Sequence, residues 1–339
     1  MAIYSGNIPL TLTNSIVANN SSSGLGPNIH RTSGTVTPTG INIVSDPASS
    51  SLTAGSAVLV TDPRLSPLGY YGGPNQTMHP LVGSPAIDPV GGAASSSLAT
   101  DQRGFARVVD GGRITSGAIL DIGAVEAGPV LEVTSSADNA GGTLRDKLNT
   151  ISGSPGIGHH IVFSSGAFPA TITPVSEMTP LTTEVFIDAS DVGGSGVQIS
   201  GAGNKGVFVV GTNGVAAMHS LTIRDGRKSS ASAVDVFGEL TMANCTVSGN
   251  VNTSSGGVIG LGLGSTRAVL DHCTVSGNST TSGSANDAGA IISTGDLRLT
   301  HSTVSDNTAS NAGQPGGIFV YDGTLTLENS IVAGNNSGS

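Results

Sequence analysis

The chain has 339 residues, 50 of them Gly, with only 11% charged and 3% aromatic residues and a formal net charge of −10. That balance excludes disorder, which needs more charge and fewer Val, Ile and Leu, and collagen, which needs glycine at every third position. It also argues against nucleic-acid binding, which needs a basic surface, and against membrane insertion, because no apolar run is long enough to span a bilayer.

From the N-terminus, residues 1–12 carry neither the basic stretch nor the apolar stretch of a secretory signal. Residues 10–20 read LTLTNSIVANN, with Leu10 and Leu12 alternating as on a strand with one buried face. Turn-rich segments follow at 67–88 (PLGYYGGPNQTMHPLVGSPAID), 100–107 (TDQRGFAR) and 121–126 (DIGAVE). Residues 131–151 read LEVTSSADNAGGTLRDKLNTI, and an irregular stretch runs to 201.

A repeat then sets in. Residues 240–250 (LTMANCTVSGN), 269–278 (VLDHCTVSGN), 297–307 (LRLTHSTVSDN) and 325–335 (LTLENSIVAGN) align with one another and with 10–20, and 215–226 (VAAMHSLTIRDG) is a weaker copy. Val247, Val275, Val304 and Val332 recur every 28 or 29 residues. Such a period marks stacked repeats, in which no unit buries its apolar face alone. Each unit offers a period-two strand, a second short strand ending on the Val, and a third after a glycine, as in 257–261 (GVIGL), 289–293 (GAIIS) and 317–321 (GIFVY). Three strands in about 28 residues predict one coil of a parallel β-helix, and hence an all-β single-stranded solenoid.

Two polar columns accompany the coils. Asn14, Asn244, His272, His301 and Asn329 share one position, with His219 as a sixth member. Stacked at the strand spacing of roughly 4.8 Å, they are expected to form a structural ladder of side-chain hydrogen bonds. Asn20, Asn250, Asn278, Asn307 and Asn335 form the second column, expected at turns because Asn tolerates left-handed backbone.

These repeats resemble the right-handed parallel β-helix proteins of the pectate-lyase-like superfold, in their secreted bacterial surface-protein branch with varied C-terminal anchors. The resemblance implies that 131–151 is a module start, a strand followed by a short capping helix near 143–151. It implies that 67–88, 100–107 and 121–126 are a module end. The order is rotated, with the ending first: 1–127 reads as a module-end segment and 128–339 as a β-helix with an N-terminal cap. Two explanations fit, a piece of a tandem array or a permuted module whose ends associate head to tail. The first also accounts for the missing signal, so the expected location is secreted or cell-surface.

Enzymes of this superfold work on polysaccharides in a groove along one sheet. Glycoside hydrolysis needs two carboxyls, and lysis of uronates needs a base and positive charge. The outward positions expected on the third strand are Asp235, Ile291, Ser293, Phe319 and Tyr321, which hold one carboxylate and no cation. Asp101, Arg103, Arg107, Asp121 and Glu126 are the densest charged set. They read first as an ion-pair network closing the module, with Asp101, Arg103, Asp121 and Asp235 as the catalytic candidates. Tyr70, Tyr71, Phe319 and Tyr321 are candidates for stacking on sugar rings.

Metal signals are weak. His159 and His160 are adjacent, so on a strand they would face opposite ways, and a surface loop pair is expected. His219, His272 and His301 read as inert ladder members rather than ligands, with Asp271 the one carboxylate near them. Asp188 and Asp191 are calcium candidates with an incomplete ligand set, so no cofactor beyond a structural calcium is expected. Cys245 and Cys273 share a column within disulfide range, but their parallel side chains make the dihedral awkward. Outward Thr11, Thr13, Thr241 and Thr326 suggest threonine files, interrupted by Arg298, Glu328 and Asp271.

The expected function is an extracellular or cell-surface β-solenoid module acting as stalk, adhesin or weak glycan binder. The alternative is a polysaccharide lyase or glycoside hydrolase. The partners expected are a polysaccharide or cell-surface glycan and further copies of the chain.

Overall fold

The computed structural model describes residues 2–48, 50–91, 98–111, 118–152, 158–193, 196–262, 266–283 and 285–338. They divide into two compact units, Met1–Ser66 with Thr77–Val130, and Pro67–Gln76 with Leu131–Ser339. The segment Pro67–Gln76 therefore belongs with the second unit, although it lies within the 1–127 stretch of the sequence.

The second unit is a parallel β-solenoid. Its first sheet has eight strands: Val130–Val133, His159–Phe163, Glu184–Asp188, Val215–His219, Glu239–Ala243, Arg267–Asp271, Asp296–Thr300 and Leu325–Glu328. A seven-stranded sheet runs from Ala170–Ile172 to Ile331–Ala333, and a five-stranded sheet from Phe208–Val210 to Ile318–Val320. A further five-stranded sheet of two-residue strands, Arg227–Lys228 to Asn336–Ser337, adds a fourth strand to each later coil beyond the three expected. The second polar column forms the corner before it.

In the regular coils the alternation points Leu240, Met242, Leu270, Leu297 and Leu299 inward. Met242, Leu270 and Leu299 are in register and fully buried, as are Val247 and Val304. Each such side chain contributes about 1.5–3 kcal/mol. In the last coil the same files lack a covering layer, and Leu327 and Val332 are exposed.

Before the coils sits the helix Leu144–Ser152, close to the 143–151 expected, which buries Leu144, Leu148 and Ile151 at helical spacing. Thr143 accepts from the Asp146 N–H, and Asp146 accepts from the Gly142 N–H, a reciprocal cap at the helix start.

The two polar columns exchange the places expected for them. The buried ladder is the second column: Asn250 donates to Asn278 (3.0 Å), Asn278 to Asn307 (2.9 Å) and Asn307 to Asn335 (2.8 Å), all side chain to side chain. The first column takes left-handed backbone instead, with φ of 46° at Asn14, 53° at Asn244, 52° at His272, 49° at His301 and 48° at Asn329. Its members in the second unit are exposed. The reason is geometric. In the first column the polar residue itself takes the left-handed turn and, in the second unit, its side chain is exposed. In the second column the left-handed residue is the one before the Asn (Gly249, Gly277, Asp306 and Gly334, φ of 65°, 62°, 56° and 68°), and Asn250, Asn278 and Asn307 are buried. His219 is not its sixth member, because it pairs with Ala243 one residue earlier, and Ser220 takes the left-handed corner.

The first unit is built alike on a smaller scale. Ile3–Ser5 pairs with Ile29–Arg31, Leu10–Thr13 with Val36–Thr39, and Ile16–Val17 with Asn42–Val44, all parallel. An antiparallel pair, Val108–Val109 and Ile119–Leu120, belongs to the closing region. The similar phrases at 10–20 and 325–335 thus adopt the same strand, left-handed corner, strand arrangement in two different units.

Candidate functional site

The outer face of the eight-stranded sheet carries one file in register: His160, Phe186, Ala217, Thr241, Val269, Arg298 and Thr326. Beside it runs Glu239, Arg267 and Asp296. Segment Pro67–Gln76 lies across the middle of this face. The Tyr70 N–H donates to Thr241 Oγ1 (2.8 Å), and that hydroxyl donates to the Tyr70 carbonyl (3.1 Å). Gly69 permits the approach, since a Cβ there would stand 2.6 Å from Thr241 Cγ2.

The segment fixes its two tyrosines differently. Tyr71 is buried edge-on against Phe186 (5.5 Å between centroids), and its hydroxyl donates to the Pro67 carbonyl. It is an anchor and offers no ring to a ligand, contrary to expectation. Tyr70 lies over Arg267, whose guanidinium carbon is 4.1 Å from the ring centroid. Such a cation–π contact is worth about 0.5–2 kcal/mol.

A groove of about 260 Å³ opens beside Tyr70, lined also by Gln76, Val269, Asp296, Arg298 and Thr326. Asp296 Oδ1 accepts from the Thr324 N–H (3.1 Å). Arg298 pairs with Glu328, and Arg267 with Glu239. Each cation thus faces a carboxylate of its own. The groove combines an aromatic ring, an amide, a carboxylate and a guanidinium on a shallow polar floor, which suits sugar rings and their hydroxyls. Of its charged residues, sequence reasoning met only Arg298, as an interruption of a threonine file. That interruption was the available signal.

The other candidates lie elsewhere. Asp101 is bonded to the Arg103 guanidinium (2.9 and 2.8 Å) and accepts from the backbone N–H of Arg103, Phe105 and Glu126. Asp121 accepts from the N–H of Asp88 and Ala127, and Glu126 from those of Val109 and Asp121. These side chains fasten the closing region to itself. Burial, helped by the Glu126 charge, pushes the Asp121 carboxyl well above its ordinary value. Burial lifts Glu126 to about 7 against the hydrogen bonds that oppose it. The same unit holds a larger cavity of about 1180 Å³, whose charged lining among the described residues is Asp101 and Arg107.

Asp235 faces outward, in register with Val209 and Gly260, and burial pushes its carboxyl up. Ile291 and Ser293 point inward, and the outward residue between them is Ile292. Phe319 and Tyr321 form an edge-on pair (6.4 Å), with Tyr321 exposed.

His159 and His160 are buried within a strand, not a loop. His160 stacks on Phe186 (4.9 Å) and reaches Asp188 Oδ2 (3.3 Å). Asp188, buried, also faces His219 at 3.9 Å, and burial lowers the His219 pKa while Asp188 opposes it. Asp188 Oδ1 also accepts from the Ser190 N–H (2.9 Å), and Asp191 lies exposed on the following turn. Cys245 and Cys273 are buried free thiols. Cys245 hydrogen-bonds to the Ala243 carbonyl and Cys273 to that of Asp271 (both 3.3 Å).

Residues 184–339 match the family described as right handed beta helix region. No curated protein and no solved structure gives a match. The solenoid of the second unit is a right-handed parallel β-helix.

Proposed function

We propose that this right-handed β-helix is an extracellular or cell-surface module, a stalk or adhesin whose groove beside Tyr70 binds an extended glycan weakly. The observation that carries the reading is the combination of Tyr70, Gln76, Asp296 and Arg298 around one shallow groove on the eight-stranded sheet. A groove of this size fits one or two rings of a longer chain, below the roughly 300–1,000 Å³ of enclosing ligand pockets. Arg298 adds a preference for acidic sugars, tempered by its Glu328 partner. Leu327, Ile331 and Val332 at the last coil are apolar and exposed, and they support stacking of a further coil there, including one from a second copy.

The enzyme reading shares the groove, because Asp296 stands near Arg298 on its wall. Binding is favoured over turnover because each neighbouring cation and carboxylate is already engaged by another protein group.

The test is a panel of neutral and uronic polysaccharides. Retention is measured alongside new reducing ends and the ultraviolet absorbance of unsaturated uronates. Binding without product, weakened in Tyr70→Ala and Arg298→Ala, is expected. Product release abolished by Asp296→Asn would replace this reading with a lyase or hydrolase. Silence in both assays would remove the glycan and leave the stalk.

A further inference from the structure

The corner between the eight- and seven-stranded sheets brings three side chains together. Asp271 ends the strand Arg267–Asp271, His272 follows at the left-handed corner, and His301 occupies the same corner one coil later. Asp271 Oδ2 is 3.0 Å from His272 Nδ1, and its Oδ1 is 3.6 Å from His301 Nδ1. One ligand atom from each residue lies within 4.8 Å of the other two. Among the described residues this is the one group of three His, Cys, Asp or Glu side chains that converges so.

We propose that Asp271, His272 and His301 form a binding site for a borderline divalent metal ion of the zinc class. Three observations support the site. The first is spacing: ligands held at about 2.0–2.2 Å in a tetrahedron stand about 3.3–3.6 Å apart, and one ligand atom from each residue already lies within 4.8 Å of the other two, so small side-chain rotations close the set. The second is preorganisation. The His272 N–H donates to the Thr300 carbonyl (3.0 Å) and the His301 N–H to that of Glu328 (2.9 Å), so coil stacking sets both backbones. The ring centroids lie 4.6 Å apart with 25° between planes, so each ring turns about its Cβ–Cγ bond to aim its in-plane Nδ1 lone pair at a shared ion. Asp271 is nearly buried beneath them, while both imidazoles are about half exposed and leave room for water as a further ligand.

The third is the outer partner. His301 Nε2 is 3.4 Å from the Asn329 side-chain amide. With a metal on Nδ1, Nε2–H donates a hydrogen bond, and Asn329 accepts that bond by presenting its oxygen after an amide flip. Two imidazoles and one carboxylate match zinc, nickel, cobalt or copper, whereas calcium and magnesium prefer all-oxygen sets.

The experiment is calorimetric titration of zinc chloride into the untagged, chelator-stripped chain. One zinc per chain is expected, with no comparable heat from calcium. His272→Asn with His301→Asn should abolish uptake and Asp271→Asn should weaken it about ten-fold or more. The double variant should fold, since Asn244 and Asn329 already occupy this corner with the same backbone. Diethylpyrocarbonate labelling of the native chain is independent of any variant, and zinc should shield His272 and His301 from it. No uptake, undiminished uptake in the double variant, equal binding of calcium, or labelling unaffected by zinc would each overturn the site.

Discussion

Asn278 donates its side-chain amide to Asn307 Oδ1 at 2.9 Å, while its own oxygen accepts from both the backbone N–H and the side-chain amide of Asn250 at 3.0 Å. The same amide also lies within bonding distance of the carbonyls of Val247 and Ser276, so its two hydrogens are shared among three acceptors. One side chain therefore satisfies polar groups of three successive coils, all away from water. Such groups cost about 1–3 kcal/mol each when left unpaired. Asn278→Ala is expected to destabilise the solenoid by about 3–5 kcal/mol, since two or more such groups lose their partner at once. Asn335→Ala, at the open end of the ladder, should cost about 1 kcal/mol. Urea unfolding of the two variants measures the difference, and equal effects would mean that the ladder does not act as a unit.

Gly69 rests against Thr241 with no room for a side chain. Gly69→Val should lift the segment Pro67–Gln76 from the sheet, break both Tyr70–Thr241 hydrogen bonds and expose Tyr71. Limited proteolysis should then cut within 67–76, where the native chain resists. The coils themselves should remain folded, because their inward files do not involve the segment.

Glu126 makes the first unit sensitive to pH. Its folded-state value of about 7 lies above the ordinary 4.5. The folded chain thus holds the proton longer than the unfolded chain does. The stabilisation is complete below the ordinary value and is lost as pH climbs through about 7. Asp121, raised by burial, acts in the same direction. The urea midpoint of this unit should fall between about pH 5 and pH 8. In Glu126→Gln the fall should be smaller, whatever the new baseline, and an unchanged slope would count against this assignment.

The thiols of Cys245 and Cys273 are 1% and 2% exposed, and burial pushes the Cys273 thiol up. Both should be silent to a thiol reagent in the folded chain and both should react in denaturant. Cys273→Ser should change stability by no more than about 1 kcal/mol. The next residue of that file is Ser302, which is buried and donates to the Leu270 carbonyl at 3.1 Å.

Much of the solenoid was legible in the chain. The inward files of Leu240 and Met242, Leu297 and Leu299 follow from period-two alternation, and the 28-residue spacing of the Val column gives the coil. The ladder was visible as two columns, but not which of them is dry. The two columns differ in where the left-handed residue falls, on the polar residue itself at Asn244 but one residue earlier, at Gly249, before Asn250. Third-strand orientation also slipped by one residue at Ile291, because IIS has no alternation to read.

The sequence by itself determined the repeating coil, since its information is local and renewed every 28 or so residues. Only the tertiary structure decided the sites. Tyr70 reaches Arg267 because a non-repeating segment docks on a distant sheet, and nothing periodic marks that contact. Asp271 meets His301 because one coil lies on the next in a register that the parallel hydrogen bonds set. Burial, left-handed corners and convergent side chains are properties of that stacking, and they exist only once the coils are closed and layered.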